Sequence, residues 1–122
     1  MKAAPFAYHR PASLPETLEL LASLGDDAKV LGGGQSLVPL LALRLAAPAH
    51  VIDLGGLAEL GAISPIDRGW SIGANVTQRR AERHEGLAEG VPLLAAALPL
   101  IAHPQIRNRG TVCGSLAHAD PA

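Results

Sequence analysis

Three consecutive glycines, Gly32–Gly34, constrain the fold of this chain more than any other feature of its sequence. They follow a short apolar run, residues 28–31, and precede an apolar segment of helical length that begins after Ser36. Glycine reaches backbone conformations that other residues avoid, and it lets a ligand approach the main chain closely. Successive N–H groups in such a bend can converge on an anion, and a helix that follows adds a partial positive charge. The pattern therefore predicts a strand, a glycine loop and a helix in succession.

Two interpretations of residues 31–37 stay open at this level. In the first, the loop binds phosphate oxygens, and Gln35 and Ser36 donate further hydrogen bonds to them. In the second, the glycines form only a tight turn and Ser36 merely caps the helix. The loop is not a P-loop, because no Lys-Ser or Lys-Thr pair follows it. Its spacing also differs from the G-x-G-x-x-G of dinucleotide-binding folds, although Asp53 lies downstream.

A second glycine-rich segment, residues 107–121 (RNRGTVCGSLAHADP), has the same character. It combines glycines, hydroxyl side chains and arginines: Gly110, Thr111, Gly114, Ser115, Arg107 and Arg109. Two segments of this kind predict a ligand with two adjacent phosphates held between two lobes. A pyrophosphate-containing cofactor fits that description.

The rest of the pattern alternates short strands with short helices, which predicts an α+β fold in two small lobes with a boundary near residues 55–61. Strands are expected over residues 6–8, 28–31 and 50–54, and as a hairpin of residues 60–66 and 70–74. Helices are expected from the capping box of Ser13 and Glu16 to Gly25, over residues 37–45, over the polar residues 77–85 with Thr77 as the cap, and over residues 91–102. The last of these is rich in Ala and Leu and should be buried on most sides.

The composition excludes several classes of protein. The 122 residues are 48% hydrophobic and 17% charged, so the chain is not disordered by composition. Aromatic residues make up 2% of it, too few for a surface on which nucleic-acid bases stack. A net charge of −1 offers no basic surface for nucleic acid or anionic membranes. The sequence also lacks a signal peptide and an apolar stretch of membrane-spanning length, so a cytoplasmic protein is expected.

No set of side chains has the spacing of a catalytic or metal site. Cys113 is the single cysteine, no His–Asp arrangement surrounds it in sequence, and a packed small thiol is the better interpretation. The five histidines lack the spacing of zinc ligands. His84 and Glu85 are expected on a solvated helix face. Binding features without catalytic residues indicate that a cofactor supplies the chemistry.

Several longer motifs resemble a known family. They are FAYHRPASLPETLELL (6–21), AKVLGGGQSLVPLLALRLAAP (28–48), HVIDL (50–54), SIGANVT (71–77) and IRNRGTVCGSLAHADPA (106–122). Together they resemble the FAD-binding medium subunit of molybdenum hydroxylases, the group that includes carbon monoxide dehydrogenase and xanthine dehydrogenase. The resemblance covers essentially the whole chain.

The resemblance implies a vanillyl-alcohol-oxidase-type (PCMH-type) FAD-binding fold of two small α+β subdomains, here 1–58 and 59–122, the second incomplete. In such proteins the first glycine loop binds the FAD diphosphate through backbone amides, here Val30, Leu31, Gly32, Gly33, Gly34, Gln35, Ser36 and Leu37. The second completes that contact, here Gly110, Thr111, Gly114 and Ser115, with Thr111 and Ser115 as side-chain donors. Ile101 matches a position near the adenine, and Asp120 lies in the matching segment.

The implied function is electron transfer. In the family, substrate is hydroxylated at a molybdopterin centre on a large subunit, and electrons pass through two [2Fe–2S] clusters on a small subunit to FAD and then to an acceptor. Two alternatives stay open: a stand-alone flavin oxidoreductase of the same fold, and a subunit-docking fragment that binds no cofactor.

Two features depart from the family pattern. Cys113 stands where T-x-G-G-S/N usually has glycine, and its Cβ is expected to narrow the approach of a phosphate or to require a different backbone angle. The chain is also much shorter than family members. It is expected to be a fragment or a split gene product with open strand edges and with weak or lost affinity for FAD.

Overall fold

The computed structural model describes residues 1–121, which form two compact units, Met1–Leu57 and a second unit from Ala58 onward. Each unit combines helices with strands, as the alternating pattern predicts. That these units are FAD-binding subdomains divided at residue 58 stays a prediction.

The first unit is a three-stranded parallel sheet with two connecting helices. Its elements in chain order are β1 (Ala7–His9), α1 (Leu14–Leu24), β2 (Ala28–Leu31), α2 (Leu37–Ala42) and β3 (His50–Asp53). The strand order is β1-β3-β2, so β3 is central and bonds to a parallel strand on each side. Val51 and Ile52 on β3 are almost completely buried and form the centre of the unit's core.

Local signals position α1 as the sequence predicts. Ser13 Oγ accepts a hydrogen bond from the Glu16 N–H at 3.3 Å, which is the first half of a capping box. The Glu16 carboxylate reaches one residue further back than expected and accepts from the Ala12 N–H at 2.9 Å. Gly25 ends the helix with a φ of 55°, a conformation that favours glycine.

Helix α2 is shorter than its apolar pattern predicts. It ends at Ala42 because Arg44 adopts a φ of 57°, and the Leu45 and Ala46 N–H groups both turn back to the Leu40 carbonyl. The apolar residues 43–45 therefore lie outside the helix, and Leu45 is 73% exposed.

The second unit contains a hairpin and five short helices. Its elements are β4 (Ile63–Ile66), β5 (Gly69–Ile72), α3 (Gln78–Glu82), α4 (Glu85–Gly90), α5 (Pro92–Ala97), α6 (Pro104–Arg107) and α7 (Val112–His118). Strands β4 and β5 pair antiparallel, which confirms the predicted hairpin. The buried core of the unit is Val76, Ala81, Leu87 and Leu98, with side chains of the hairpin and of α5 packed against it.

Two of the predicted helices are wrong in extent or in burial. The polar segment 77–85 divides into α3 and the start of α4, because His84 begins a new helix by accepting the Leu87 N–H on Nδ1 at 3.2 Å. His84 is therefore a capping residue and not only part of a solvated face. The Ala/Leu segment 91–102 contains only the six residues of α5 and a short 3₁₀ turn, and it is largely exposed. Leu98 is buried, whereas Leu93 and Leu100 are 82% and 84% exposed.

The final segment is more helical than its glycines indicate. Pro104 begins α6, where a proline in the first turn costs no hydrogen bond. Thr111 begins α7 by accepting the Gly114 N–H on its hydroxyl at 3.0 Å. Gly114 and Ser115 therefore lie in the first turn of a helix and not in an open loop. None of the helices within residues 1–121 combines the length and the apolar character that crossing a bilayer demands.

Candidate functional site

The glycine loop lies where the carboxyl end of β2 leaves the parallel sheet. Leu31, the last residue of β2, pairs in register with Asp53, the last residue of β3. Ligands of open parallel sheets bind at this edge, beyond the carboxyl ends of the strands. Gly34 has a φ of 77°, and a Cβ added there would lie 3.1 Å from Val38 Cγ2 and 3.3 Å from Leu31 Cδ1. The loop thus needs glycine at position 34 for its backbone angle and for its packing.

The loop exposes an unbroken series of unpaired main-chain donors. Across the part of the chain that the structure describes, the backbone N–H groups of residues 32–37 donate to no protein acceptor. The first loop-to-helix bond is donated by Val38 to the Gly34 carbonyl at 3.0 Å. Backbone N–H groups are strong donors that require partners, so a series of six is suited to an anionic ligand with several oxygens.

The side chains of the loop bear on both interpretations of its role. Ser36 is the N-cap residue of α2, but its hydroxyl makes no capping hydrogen bond with the helix. Phosphate binding and a tight turn therefore both stay predictions for this loop. Gln35 folds back and donates from Nε2 to the Gly33 carbonyl at 3.3 Å. Val30 and Leu31 belong to β2, where Val30 is exposed and Leu31 is half-buried.

A tyrosine and an aspartate that the sequence patterns did not single out for the site lie at the same edge of the sheet. Tyr8 donates a hydrogen bond from its hydroxyl to Asp53 Oδ2, and Asp53 Oδ1 accepts the Gly55 N–H at 2.8 Å. The hydrogen bond to Asp53 is the main cause that raises the pKa of Tyr8 above 10.0. Asp53 thus fixes β1 and the turn after β3 beside the end of β2. Only its position after an apolar strand marks it in the sequence.

The second predicted segment is held within its own unit by α3 and the chain before it. The Gln78 N–H donates to the Gly110 carbonyl at 2.8 Å, and the Val112 N–H donates to the Val76 carbonyl at 3.2 Å. Thr77 and Thr111 form the β-bridge between these two bonds. These contacts fix the chain on which Thr111 and Ser115 are carried.

The hydroxyl groups of this segment have different roles. Thr111 is 6% exposed, and its hydroxyl accepts the Gly114 N–H, so it is first of all a helix cap. A Cβ added at Gly114 would lie 2.5 Å from Thr111 Oγ1, so this cap requires glycine at position 114. Ser115 is exposed, and its Oγ accepts a hydrogen bond from Gln78 Nε2 at 2.7 Å. The sequence patterns did not identify Gln78 as a hydrogen-bond partner of Ser115.

Cys113 fits the helix without strain. It lies in α7 with no positive φ, so the different backbone angle that its Cβ was expected to require is absent. Its Sγ lies 3.6 Å from the Ile72 carbonyl oxygen, and the thiol is half-buried. The substitution of cysteine for glycine is therefore accommodated by packing against β5.

The remaining predicted residues lie at the margins of this segment. Ile101 is half-buried against the core, and its carbonyl accepts a hydrogen bond from Arg107 Nη1 at 2.7 Å. Asp120 is exposed, with its carboxylate 3.7 Å from His118 Nε2. Buried Arg107 also lies 3.3 Å from Glu82 Oε2. Partial burial opposes ionisation of Glu82, but the hydrogen bond from Arg79 and the charge of Arg107 outweigh it and lower the pKa of Glu82.

The imidazoles of His9 and His50 meet across β1 and β3, with Nε2 and Nδ1 3.0 Å apart. Among residues 1–121, no three potential metal ligands of the His, Cys, Asp or Glu type lie together.

Comparison with known proteins agrees with this geometry. The family of FAD binding domains in molybdopterin dehydrogenases matches residues 4–122. The 6-hydroxypseudooxynicotine dehydrogenase complex subunit alpha of Paenarthrobacter nicotinovorans is 44% identical over 122 residues, which are all of this chain and 41% of that protein. The carbon monoxide dehydrogenase medium chain of Hydrogenophaga pseudoflava is 44% identical over 95% of this chain and 40% of its own length.

Solved structures give the same result. Carbon monoxide dehydrogenase from Hydrogenophaga pseudoflava matches with a TM-score of 0.94 and 44% identity over 99% of this chain and 42% of that chain. Quinoline 2-oxidoreductase from Pseudomonas putida 86 matches with a TM-score of 0.92 and 47% identity, over 98% of this chain and 42% of its own. The chain spans less than half the length of these relatives. The expected α+β FAD-binding fold is confirmed, and the chain belongs to the family of FAD-binding domains of molybdopterin dehydrogenases.

Proposed function

We propose that this chain is the diphosphate-binding part of an FAD-dependent electron-transfer subunit in a molybdenum hydroxylase. The observation that carries the proposal is the series of unpaired N–H groups over residues 32–37 at the carboxyl edge of a parallel sheet. Six main-chain donors that have no partner within residues 1–121 fit the oxygens of a diphosphate, which needs many donors and no side-chain catalyst.

In the first unit, the main chain does the binding. The N–H groups from Gly32 to Leu37 would donate to diphosphate oxygens, and the uncommitted Ser36 hydroxyl would add a further donor. Val30 and Leu31 hold the start of the loop in the sheet. Gly34 keeps the bend in a conformation that side chains rarely adopt.

In the second unit, the segment from Gly110 to Ser115 would supply the remaining contacts. Ser115 presents an exposed hydroxyl, whereas Thr111 holds the helix start with its own. Ile101 would contact the adenine end, and Asp120 would offer a carboxylate to ribose hydroxyls. When bound, FAD supplies the redox chemistry, and this chain's residues hold it in place.

The relatives include subunits of dehydrogenase complexes, which supports the partners proposed for this chain. These are a molybdopterin-binding large subunit and an iron–sulfur small subunit with [2Fe–2S] clusters. The substrate would then be selected on the large subunit and not by the residues described above. We further propose that the chain acts in the cytoplasm.

Equilibrium binding of FAD to the full chain, followed by flavin absorbance and fluorescence, tests this function. Gly33→Val places a side chain beside the unpaired amides, and we expect it to weaken FAD binding about tenfold or more, because a hydrogen bond to a charged group contributes strongly to affinity. Gly69→Val is the matched control, since a Cβ at Gly69 meets no atom within 4 Å. Absence of FAD binding by the unmodified chain, the outcome expected of a fragment that has lost its affinity, would overturn the proposal, and so would equal affinity in both variants.

A further inference from the structure

Gln78 is a buried polar side chain without a role in the function proposed so far. It is the first residue of α3 and is 2% exposed. Its Nε2 donates to Ser115 Oγ at 2.7 Å, across a sequence separation of 37 residues. A buried amide aimed at an exposed hydroxyl calls for a reason beyond packing.

The other end of the same amide is unpaired. Gln78 Oε1 is buried and has no hydrogen-bond partner among the described residues. A buried carbonyl oxygen without a donor is costly, and such atoms are rare in folded proteins. Within residues 1–121, the amide thus makes its side-chain hydrogen bond through Nε2, to Ser115.

The hydrogen bond from Gln78 determines what the Ser115 hydroxyl can do. A serine hydroxyl has one proton and two acceptor positions. Because Ser115 Oγ accepts from Gln78, its proton stays available for a second partner. Ser115 Oγ donates no hydrogen bond within residues 1–121, and the side chain is exposed. Ser115 is thus prepared to donate to a group outside the chain.

Gln78 also fixes the start of the segment that carries Ser115. Its backbone N–H donates to the Gly110 carbonyl at 2.8 Å. A Cβ added at Gly110 would lie 3.0 Å from Gln78 Oε1 and 3.1 Å from the Ile106 carbonyl oxygen. Gly110 therefore leaves room for the buried amide, and one residue of α3 holds both ends of the segment from Gly110 to Ser115.

We propose that Gln78 is a positioning residue, which orients Ser115 so that its hydroxyl proton is donated to a diphosphate oxygen of the bound nucleotide. The inference rests on the proposed function, because it assumes that Ser115 contacts FAD. Gln78 itself touches no ligand atom, and its effect passes through Ser115.

The test measures the FAD dissociation constant of the full chain in four variants, with thermal unfolding of each in the absence of FAD. Gln78→Met keeps the volume and removes the donor, and we expect FAD binding several-fold weaker. The carboxylate of Gln78→Glu can only accept a hydrogen bond, so it takes the proton of the Ser115 hydroxyl away from FAD. We expect a larger loss of FAD affinity, about tenfold or more, because the lost hydrogen bond is to a charged phosphate oxygen. Ser115→Ala should weaken binding by a similar factor, and Ser115→Thr, which keeps a hydroxyl, should retain most of the affinity.

A double variant separates positioning from a purely structural role. If Gln78 acts through Ser115, then Gln78→Met causes no additional loss of FAD affinity in the Ser115→Ala background. A structural role predicts that the losses multiply, and that outcome overturns the inference. Unchanged affinity in Gln78→Met, with FAD bound normally by the unmodified chain, also overturns it and leaves the proposed function intact. Absence of FAD binding by the unmodified chain overturns the proposed function itself.

Discussion

Asp53 links two parts of the first unit through one carboxylate. One oxygen accepts from the Tyr8 hydroxyl on β1, and the other accepts from the Gly55 N–H just after β3. The interaction joins residues 45 positions apart, and it lies beside Leu31 at the start of the glycine loop. The carboxylate therefore ties β1 to the turn after β3 at the edge of the sheet where the glycine loop begins.

Tyr8 is the chain's only tyrosine, so its phenol can be titrated without interference from another. The hydrogen bond to Asp53 raises the pKa of Tyr8 above 10.0. A raised pKa stabilises the folded state below the unfolded value, and that contribution disappears as pH rises through the folded pKa. We expect an ultraviolet absorbance titration of the folded chain to give a midpoint above 10.0 and Asp53→Asn to lower it. Equal midpoints in the two proteins would show that the pair does not form in solution.

Residue-scale contacts divide into those that the sequence predicts and those that it cannot. The Ser13 and Thr77 caps are local, since each side chain accepts from an N–H three residues ahead. Their residue types and positions were therefore enough to predict them. The Gln78–Ser115 bond joins residues that only the folded chain brings together, and no spacing rule marks it.

At the scale of elements, α4 depends on two glycines that packing requires. A Cβ added at Gly86 or Gly90 would overlap the indole ring of Trp70. These residues are four positions apart and therefore lie on one face of the helix, where the indole ring of Trp70 on β5 packs directly against the backbone. The same two glycines, which have low helix propensity, obscure the helix in the sequence.

Gly90→Ala tests this packing. We expect it to destabilise the chain by about 1–3 kcal/mol, because an added methyl group in a filled space forces side chains and backbone to move. Thermal unfolding followed by the fluorescence of Trp70, the chain's single tryptophan, measures the loss. Gly69→Ala is the control, since nothing lies within 4 Å of its added Cβ. A Gly90→Ala variant as stable as this control would contradict the packing described here.

The errors in the predicted elements have a common physical origin. Apolar content located most of the segments, but burial and helix ends depend on tertiary contacts. The segment 91–102 has helical composition, yet α5 ends at Ala97 and a proline follows at position 99. Its Leu93 and Leu100 are exposed, although an Ala/Leu run predicts a buried helix. In α7, the cap provided by Thr111 supports a helix that contains Gly114.

For the whole chain, the sequence predicted the family and the α+β class because the two glycine segments and the strands between them form a specific combination. The same patterns do not establish the role of each site residue, because that role depends on contacts with a ligand. The unpaired amides of residues 32–37 belong to the first unit, and Ser115 belongs to the second. Binding of one FAD molecule to both units therefore has to be measured on the whole chain with FAD bound.

Hydrogen exchange measured by mass spectrometry reports the effect of FAD binding on each unit separately. A ligand that binds only the folded state stabilises it by RT ln(1 + [L]/Kd), which is about 2.7 kcal/mol at a hundredfold excess over Kd. If one FAD binds residues of both units, it should slow exchange in β3 of the first unit and in α3 of the second. Gly33→Val and Ser115→Ala should each reduce the protection in both elements, because each removes part of the same interaction. Protection of β3 alone would mean that the first unit binds FAD by itself, and the contacts assigned to the segment from Gly110 to Ser115 would then be wrong.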